Sequence, residues 1–162
     1  MAPEITTAQE AADDEFVLLF GHLQGAANRL AYILGRALEQ ECGINHLTFE
    51  VLMILGRAGA DGLPMRVIAQ ERVLTTGGAT RLVDRMEAAG LVERTDDADD
   101  RRSRRVRLTA AGEDTAVRAA RLHAENVRRF VLDPLPAEHY SQLATDLRAL
   151  SHSARDTLPR LR

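Results

Sequence analysis

The chain has 162 residues, enough for one domain with appended helices and a sizeable core. Hydrophobic residues make up 45% but aromatics only 4%, with no Trp, which favours a core of Leu, Ala, Val and Ile between packed helices. The net charge of −3 excludes a uniformly basic surface, yet the charge is sorted: residues 1–15 carry Glu4, Glu10, Asp13, Asp14 and Glu15 with no base, whereas 101–107 read Arg-Arg-Ser-Arg-Arg-Val-Arg with no acid.

Residues 1–12 are polar and Ala-rich and read as a loose arm. They show neither a basic segment nor an apolar run, so no secretory leader is expected, and the expectation is a cytoplasmic protein. From Asp13 the pattern turns helical. Phe16, Leu19, Phe20, Leu23, Ala27, Leu30, Leu34 and Leu38 recur at three- and four-residue steps, predicting a helix over about 13–41 that Gly43 ends. No apolar run approaches the ~20 residues that span a bilayer. Cys42 is the only cysteine, which excludes an intramolecular disulfide and a Cys-rich zinc site. The five His are scattered, so neither a metal site nor a cofactor is expected.

A second helix opens at Thr48 and stops at Gly59 and Gly62. Leu63-Pro64-Met65 reads as a small strand and Val67–Val73 as a short helix. Leu74-Thr75-Thr76 is a turn, with a Thr placed to cap a helix over about 76–89 that Gly90 stops. Leu91–Arg94 and Arg104–Leu108 are strands flanking a polar turn, Asp96–Asp100. A helix follows from about Thr109 to Leu132. Asp133-Pro134-Leu135-Pro136 breaks it, and a last helix covers about 137–157 with Tyr140, Leu143, Leu147 and Leu150 on one stripe. His123 and His139 are expected at the surface.

Two short helices followed by a hairpin make a winged helix-turn-helix. The expected fold is therefore mainly α, with a small β-hairpin wing between long N- and C-terminal dimerisation helices. Residues 1–46 form the arm and first dimerisation helix, 47–109 the winged module, and 110–162 the C-terminal dimerisation helices. The second helix of the pair can enter a major groove, about 12 Å wide. Its start, Thr75-Thr76-Gly77-Gly78, is small and polar, and free N–H groups there favour phosphate. Thr80 and Arg81 can face bases or backbone, and Arg85 lies four residues beyond Arg81 on the same face. Gly77-Gly78 has two readings: close approach to DNA, or a helix that begins only near Ala79. At the wing, Asp96, Asp97, Asp99 and Asp100 precede Arg101, Arg102 and Arg104. A charge run alone reads as a solvated turn. Its place between two strands favours an Asp bracing an Arg aimed at a narrow minor groove.

Residues 47–112 resemble the MarR family (multiple antibiotic resistance regulators). The matching stretches are Leu47–Leu52, Thr80-Arg81-Leu82-Val83-Asp84-Arg85-Met86-Glu87-Ala88-Ala89-Gly90-Leu91-Val92, Asp97–Arg102 and Val106-Arg107-Leu108-Thr109-Ala110-Ala111-Gly112. The family's wing carries Asp-x-Arg before a strand ending Leu-Thr. Asp100 and Arg102 match it, with Arg102 as the implied minor-groove residue, and Ala98 stands where relatives often have Pro. The resemblance implies a homodimer that binds double-stranded DNA at an inverted-repeat operator. It implies a repressor released by a small aromatic or phenolic ligand, and no enzyme. Candidate ligand contacts are His22, Asn28, Arg29, Tyr32 and His46, each of which also suits an interface or capping role. Two alternatives stand beside it: a winged-helix module that binds protein, and a redox-responsive regulator using Cys42. The family's sensing Cys lies near the start of the first helix, whereas Cys42 lies near its end.

Overall fold

The computed structural model describes residues 5–72, 74–96 and 104–158. A short helix α1 (Ala8–Asp13) comes first. The arm is thus not loose throughout: Thr7 caps α1 by accepting from the Glu10 N–H, and the Glu10 carboxylate returns the bond to the Thr7 N–H. Asp14 then caps the long helix α2 (Glu15–Cys42), accepting from Phe16 N and Val17 N at 3.0 Å each. Gly43 closes α2 in the left-handed conformation, φ 69°.

Helix α3 (His46–Ala58) opens two residues earlier than the sequence pattern indicates, because Asn45 rather than Thr48 is the cap; its side chain accepts from Thr48 N at 2.8 Å. A 3₁₀ turn (Gly59–Asp61) leads to strand β1 (Leu63–Pro64) and helix α4 (Met65–Glu71). Helix α5 (Thr76–Ala88) follows, then β2 (Val92–Asp96), β3 (Arg104–Leu108) and α6 (Ala110–Val127). The end of α6 widens into one π-helical turn, Arg128–Leu132, before α7 (His139–Thr157).

The wing is a three-stranded antiparallel sheet in the order β1-β3-β2. Val92 pairs with Leu108 and Asp96 with Arg104, while Leu63 pairs with Val106 on the other edge. The fold is mainly α, a winged helix-turn-helix with this small sheet.

The core lies inside the winged module. Val51, Leu52 and Leu55 of α3, Ile68 of α4, Leu82, Val83 and Met86 of α5, and Val92 and Val106 of the sheet interlock there. It extends past 47–109: Leu38 of α2 and Ala116 and Ala119 of α6 are buried in the same cluster. Helix α2 is therefore two-sided along its length. Leu34, Gly35 and Leu38 are buried, whereas Phe16, Leu19 and Phe20 are 63–65% exposed. No residue of α7 is buried, and its Tyr140, Leu147 and Leu150 stand in the open.

Gly112 locks α6 onto the wing. Thr109 caps α6 through Gly112 N, and the Thr109 hydroxyl donates to the Gly90 carbonyl at 2.5 Å. A Cβ at 112 would overlap the Leu91 carbonyl oxygen, a backbone atom with no room to yield. Gly112→Ala should cost at least about 2 kcal/mol of stability, visible as a lower urea midpoint at unchanged slope.

Candidate nucleic-acid interface

Helix α5 presents one apolar and one polar face. Ala79, Leu82, Val83 and Met86 point into the core. Thr76, Gly77, Thr80, Arg81, Asp84 and Arg85 are exposed on the opposite side. Thr75 is the cap: its hydroxyl oxygen accepts from Gly78 N at 3.1 Å. The helix therefore begins at Thr76, and both glycines lie inside its first turn, so a start at Ala79 is excluded. The two glycines do different things. A Cβ on Gly78 would press to 3.2 Å from Thr75 Oγ1, so the cap itself favours glycine there. A Cβ on Gly77 would meet nothing, so the fold places no demand on that glycine. The Thr80 hydroxyl is turned back onto the Thr76 carbonyl at 3.0 Å.

Among the described residues Arg81 and Arg85 have no side-chain partner, and Arg104 is exposed at the start of β3. Asp100, Arg101 and Arg102 lie outside the described residues. The remaining arginines of the basic run have structural work. Arg105 donates from Nε to the Asp61 carbonyl at 2.7 Å and from Nη2 to the Gly62 carbonyl at 3.0 Å, tying β3 to the 3₁₀ turn. Arg107 Nε bonds Glu93 at 2.7 Å across the hairpin, in register with it. Five arginines in seven residues thus do not make five phosphate contacts.

Arg94 of β2 is a residue that sequence reasoning missed. Its side chain is only 17% exposed and is held by two acids of α5: Nη2 lies 2.5 Å from Asp84, and Nη1 bonds Glu87. Its backbone N–H also donates to Glu87 at 3.2 Å. Burial opposes the guanidinium charge, but the bonds from Asp84 and Glu87 outweigh burial and raise its hold on the proton above the ordinary arginine value. The arrangement does two jobs. It fixes the wing to α5 as one body, and it offsets part of the charge of Asp84, an acid that otherwise stands between Arg81 and Arg85 on the polar face. A signal was present: acids at positions 84 and 87 share a helix face. Only the fold-back of β2 brings Arg94 to them.

The proposed ligand residues are less gathered. His22, Asn28, Arg29 and Tyr32 are exposed along α2. His46 is separate from that exposed group, half-buried at the start of α3 against Phe49 and His123. His123 is therefore not a surface residue as expected, because α6 lays it over the Phe49 ring at 4.5 Å. His139 is exposed. A cleft of about 460 Å³ lies elsewhere, between α3, β3 and α6, lined by Leu52, Leu55, Gly56, Leu108, Ala116 and Ala120 among others. Cys42 is half-buried and packs against the core as a small apolar side chain. Among the described residues no helix is long and apolar enough to cross a membrane.

The MarR family model matches residues 43–103, which take in α3 to β2 and stop just before β3. The HTH-type transcriptional regulator PapX of Escherichia coli is 39% identical over 70 residues, 43% of this chain. That match also spans 43% of PapX, less than half of the curated relative's length. Over the full fold, the chain is similar to Sco3205, a MarR family transcriptional regulator of Streptomyces coelicolor solved in complex with DNA. The identity is 28%, the TM-score 0.77, and the alignment covers 93% of this chain and 91% of that one. AbsC, another MarR family regulator of the same organism, aligns at 26% identity and TM-score 0.77 over 96% and 100% of the two chains.

Gly77 allows stability and binding to be separated. Gly77→Ala should stabilise the fold by up to about 1 kcal/mol, since helices favour Ala, while weakening duplex binding. Thermal melting and a gel-shift titration on the same preparation check the two directions.

Proposed function

We propose that this chain, which belongs to the MarR family, is a dimeric, sequence-specific DNA-binding transcriptional regulator. The observation that carries this reading is the polar face of α5. Its capped N-terminus, its open glycine, and Arg81 and Arg85, which have no partner among the described residues, project on the side opposite the core. In the proposed complex α5 lies in the major groove, with Thr76, Gly77, Thr80, Arg81 and Arg85 against bases and phosphates. Thr75 and Gly78 set the helix start. The hairpin reaches the neighbouring minor groove through Arg102, braced by Asp100, with Arg101 and Arg104 toward phosphate.

The dimer reading is supported by apolar surface that the chain leaves uncovered. Phe16, Leu19, Phe20 and Leu23 on α2, and Tyr140, Leu147 and Leu150 on α7, are 44–65% exposed. Stripes of this size on two terminal helices suit burial against a second copy. A two-fold dimer reads an inverted repeat with half-sites about 34–36 Å apart. Repression by operator occupancy completes the proposal, with release by a small aromatic or phenolic acid contacting His22, Asn28, Arg29, Tyr32 or His46. Its support is the family resemblance and the polar residues on the apolar stretches of α2 and at the start of α3. The protein would work in the cytoplasm, beside the DNA it reads, and not as an enzyme.

Light scattering at micromolar concentration should give twice the chain mass; a monomer there rejects the dimer. Arg102→Ala should weaken binding to a selected duplex strongly and lower the salt slope by about 1, with dimerisation and melting unchanged. Full affinity at physiological salt rejects the wing assignment.

A further inference from the structure

His46 opens α3 and His123 lies on α6, and their ring centroids are 5.8 Å apart, with Phe49 beside both. The Nδ1 atoms of both rings are shut off from water and have no hydrogen-bond partner among the described residues. A neutral imidazole can leave one ring nitrogen as an unused acceptor. An imidazolium has N–H donors at both nitrogens, and a buried donor without a partner is costly. The acceptor at hand is Glu50, whose Oε1 lies 3.8 Å from His46 Nε2. That same oxygen already holds Arg72 Nη1 at 2.6 Å. Two cations would therefore compete for one carboxylate oxygen.

Arg72 is placed to matter. It caps the end of α4, and Leu74 N then donates to the Ala69 carbonyl at 2.9 Å before Thr75 caps α5. The Glu50–Arg72 pair thus fastens the turn that aims α5. The charged groups acting on His123 are His46 and Glu50, both from α3; Arg72 of α4 enters through Glu50. From α2, Gly35 faces the cluster, with His46 Cβ 3.6 Å from where its own Cβ would be. Glu71, next to Arg72, pairs with Arg155 of α7 at 3.7 Å.

We propose that His46, His123, Glu50 and Arg72 form a proton-sensitive link between α6 and the turn that opens α5, so that acidification loosens DNA binding. The link rests on the DNA-binding reading above. Burial first, and then His46, hold the His123 imidazole below the ordinary histidine range, with Glu50 opposing. The folded cluster therefore prefers a neutral His123 ring. The stability this confers is complete above the unfolded value of about 6.5 and is lost as pH falls below it. The sign is diagnostic. His22, His139 and His152 are exposed, and protonating them makes the protein more basic, which by itself tightens DNA binding.

The test is fluorescence anisotropy with a duplex selected from a random pool at pH 7.5, titrated from pH 7.5 to 5.5 at fixed ionic strength. Wild-type affinity should fall by at least about fivefold. His123→Phe, which keeps a ring over Phe49, should match wild type at pH 7.5 and hold or tighten its binding on acidification. A wild-type affinity that holds or rises on acidification overturns the link, as does an equal slope in His123→Phe. Should that variant not fold, NMR titration of the wild-type rings decides. His123 should titrate below the ordinary histidine range, with the Arg72 side-chain signals moving in step. Ordinary titration with Arg72 unmoved overturns the link. Absence of any duplex binding at pH 7.5 instead sinks the DNA-binding reading and leaves the NMR titration to judge the link.

Discussion

Val106 sits at the centre of β3 with Leu63 on one side and Arg94 on the other, and its own side chain is fully buried. A sheet of three short strands has little stability alone. It persists here because its inner residues, Val92 and Val106, are part of the same core as α3, α4 and α5. The wing is consequently not an appended hairpin. Its direction is set by the helices that the core aligns, and α5 is aligned in turn by the sheet. Gly62 shows how close this packing is: it takes φ 60°, and a Cβ there would strike the Val106 carbonyl.

On that frame the charged residues divide their work. Arg94, Arg105 and Arg107 are consumed in joining the wing to α5, to the 3₁₀ turn and to itself. Arg81, Arg85 and Arg104 remain directed to solvent. The acids are divided as well. Asp84 and Glu87 sit on or beside the polar face of α5, yet Arg94 offsets one of their two charges locally. An acidic protein can in this way present a locally basic surface, since screening limits the reach of the distant acids to about a Debye length of 8–10 Å.

The terminal helices follow a different logic. The C-terminal half of α2 and the first half of α6 are seated in the core, while the N-terminal half of α2 carries Phe16, Leu19 and Phe20 into solvent. A single helix thus links the winged module to the surface proposed for a second copy. The His46–His123 cluster lies where α3 and α6 meet, on the route between them.

Much of the architecture was legible from periodicity and punctuation. The α2 stripe, the Gly43 stop, the Thr75 cap, the glycine-bounded α5 and the alternating strands all depend on local rules that act within one turn or one strand. The motifs around Thr80–Val92 and Val106–Gly112 were enough to point to the family. Boundaries moved where a cap was misjudged: Asn45 in place of Thr48, and the Thr7 capping box in an arm expected to be loose. What the sequence could not disclose depended on residues far apart in the chain. Arg94 meets Asp84 and Glu87 only after β2 folds back over α5. Arg105 finds its two carbonyls forty-odd positions away only in the sheet register. His123 looked like a surface residue because nothing nearby in sequence covers it; α3 supplies Phe49 and His46 from across the core. Local chemistry determined which elements form, and tertiary packing decided which charges are free, because that depends on which partners the fold brings within hydrogen-bond reach.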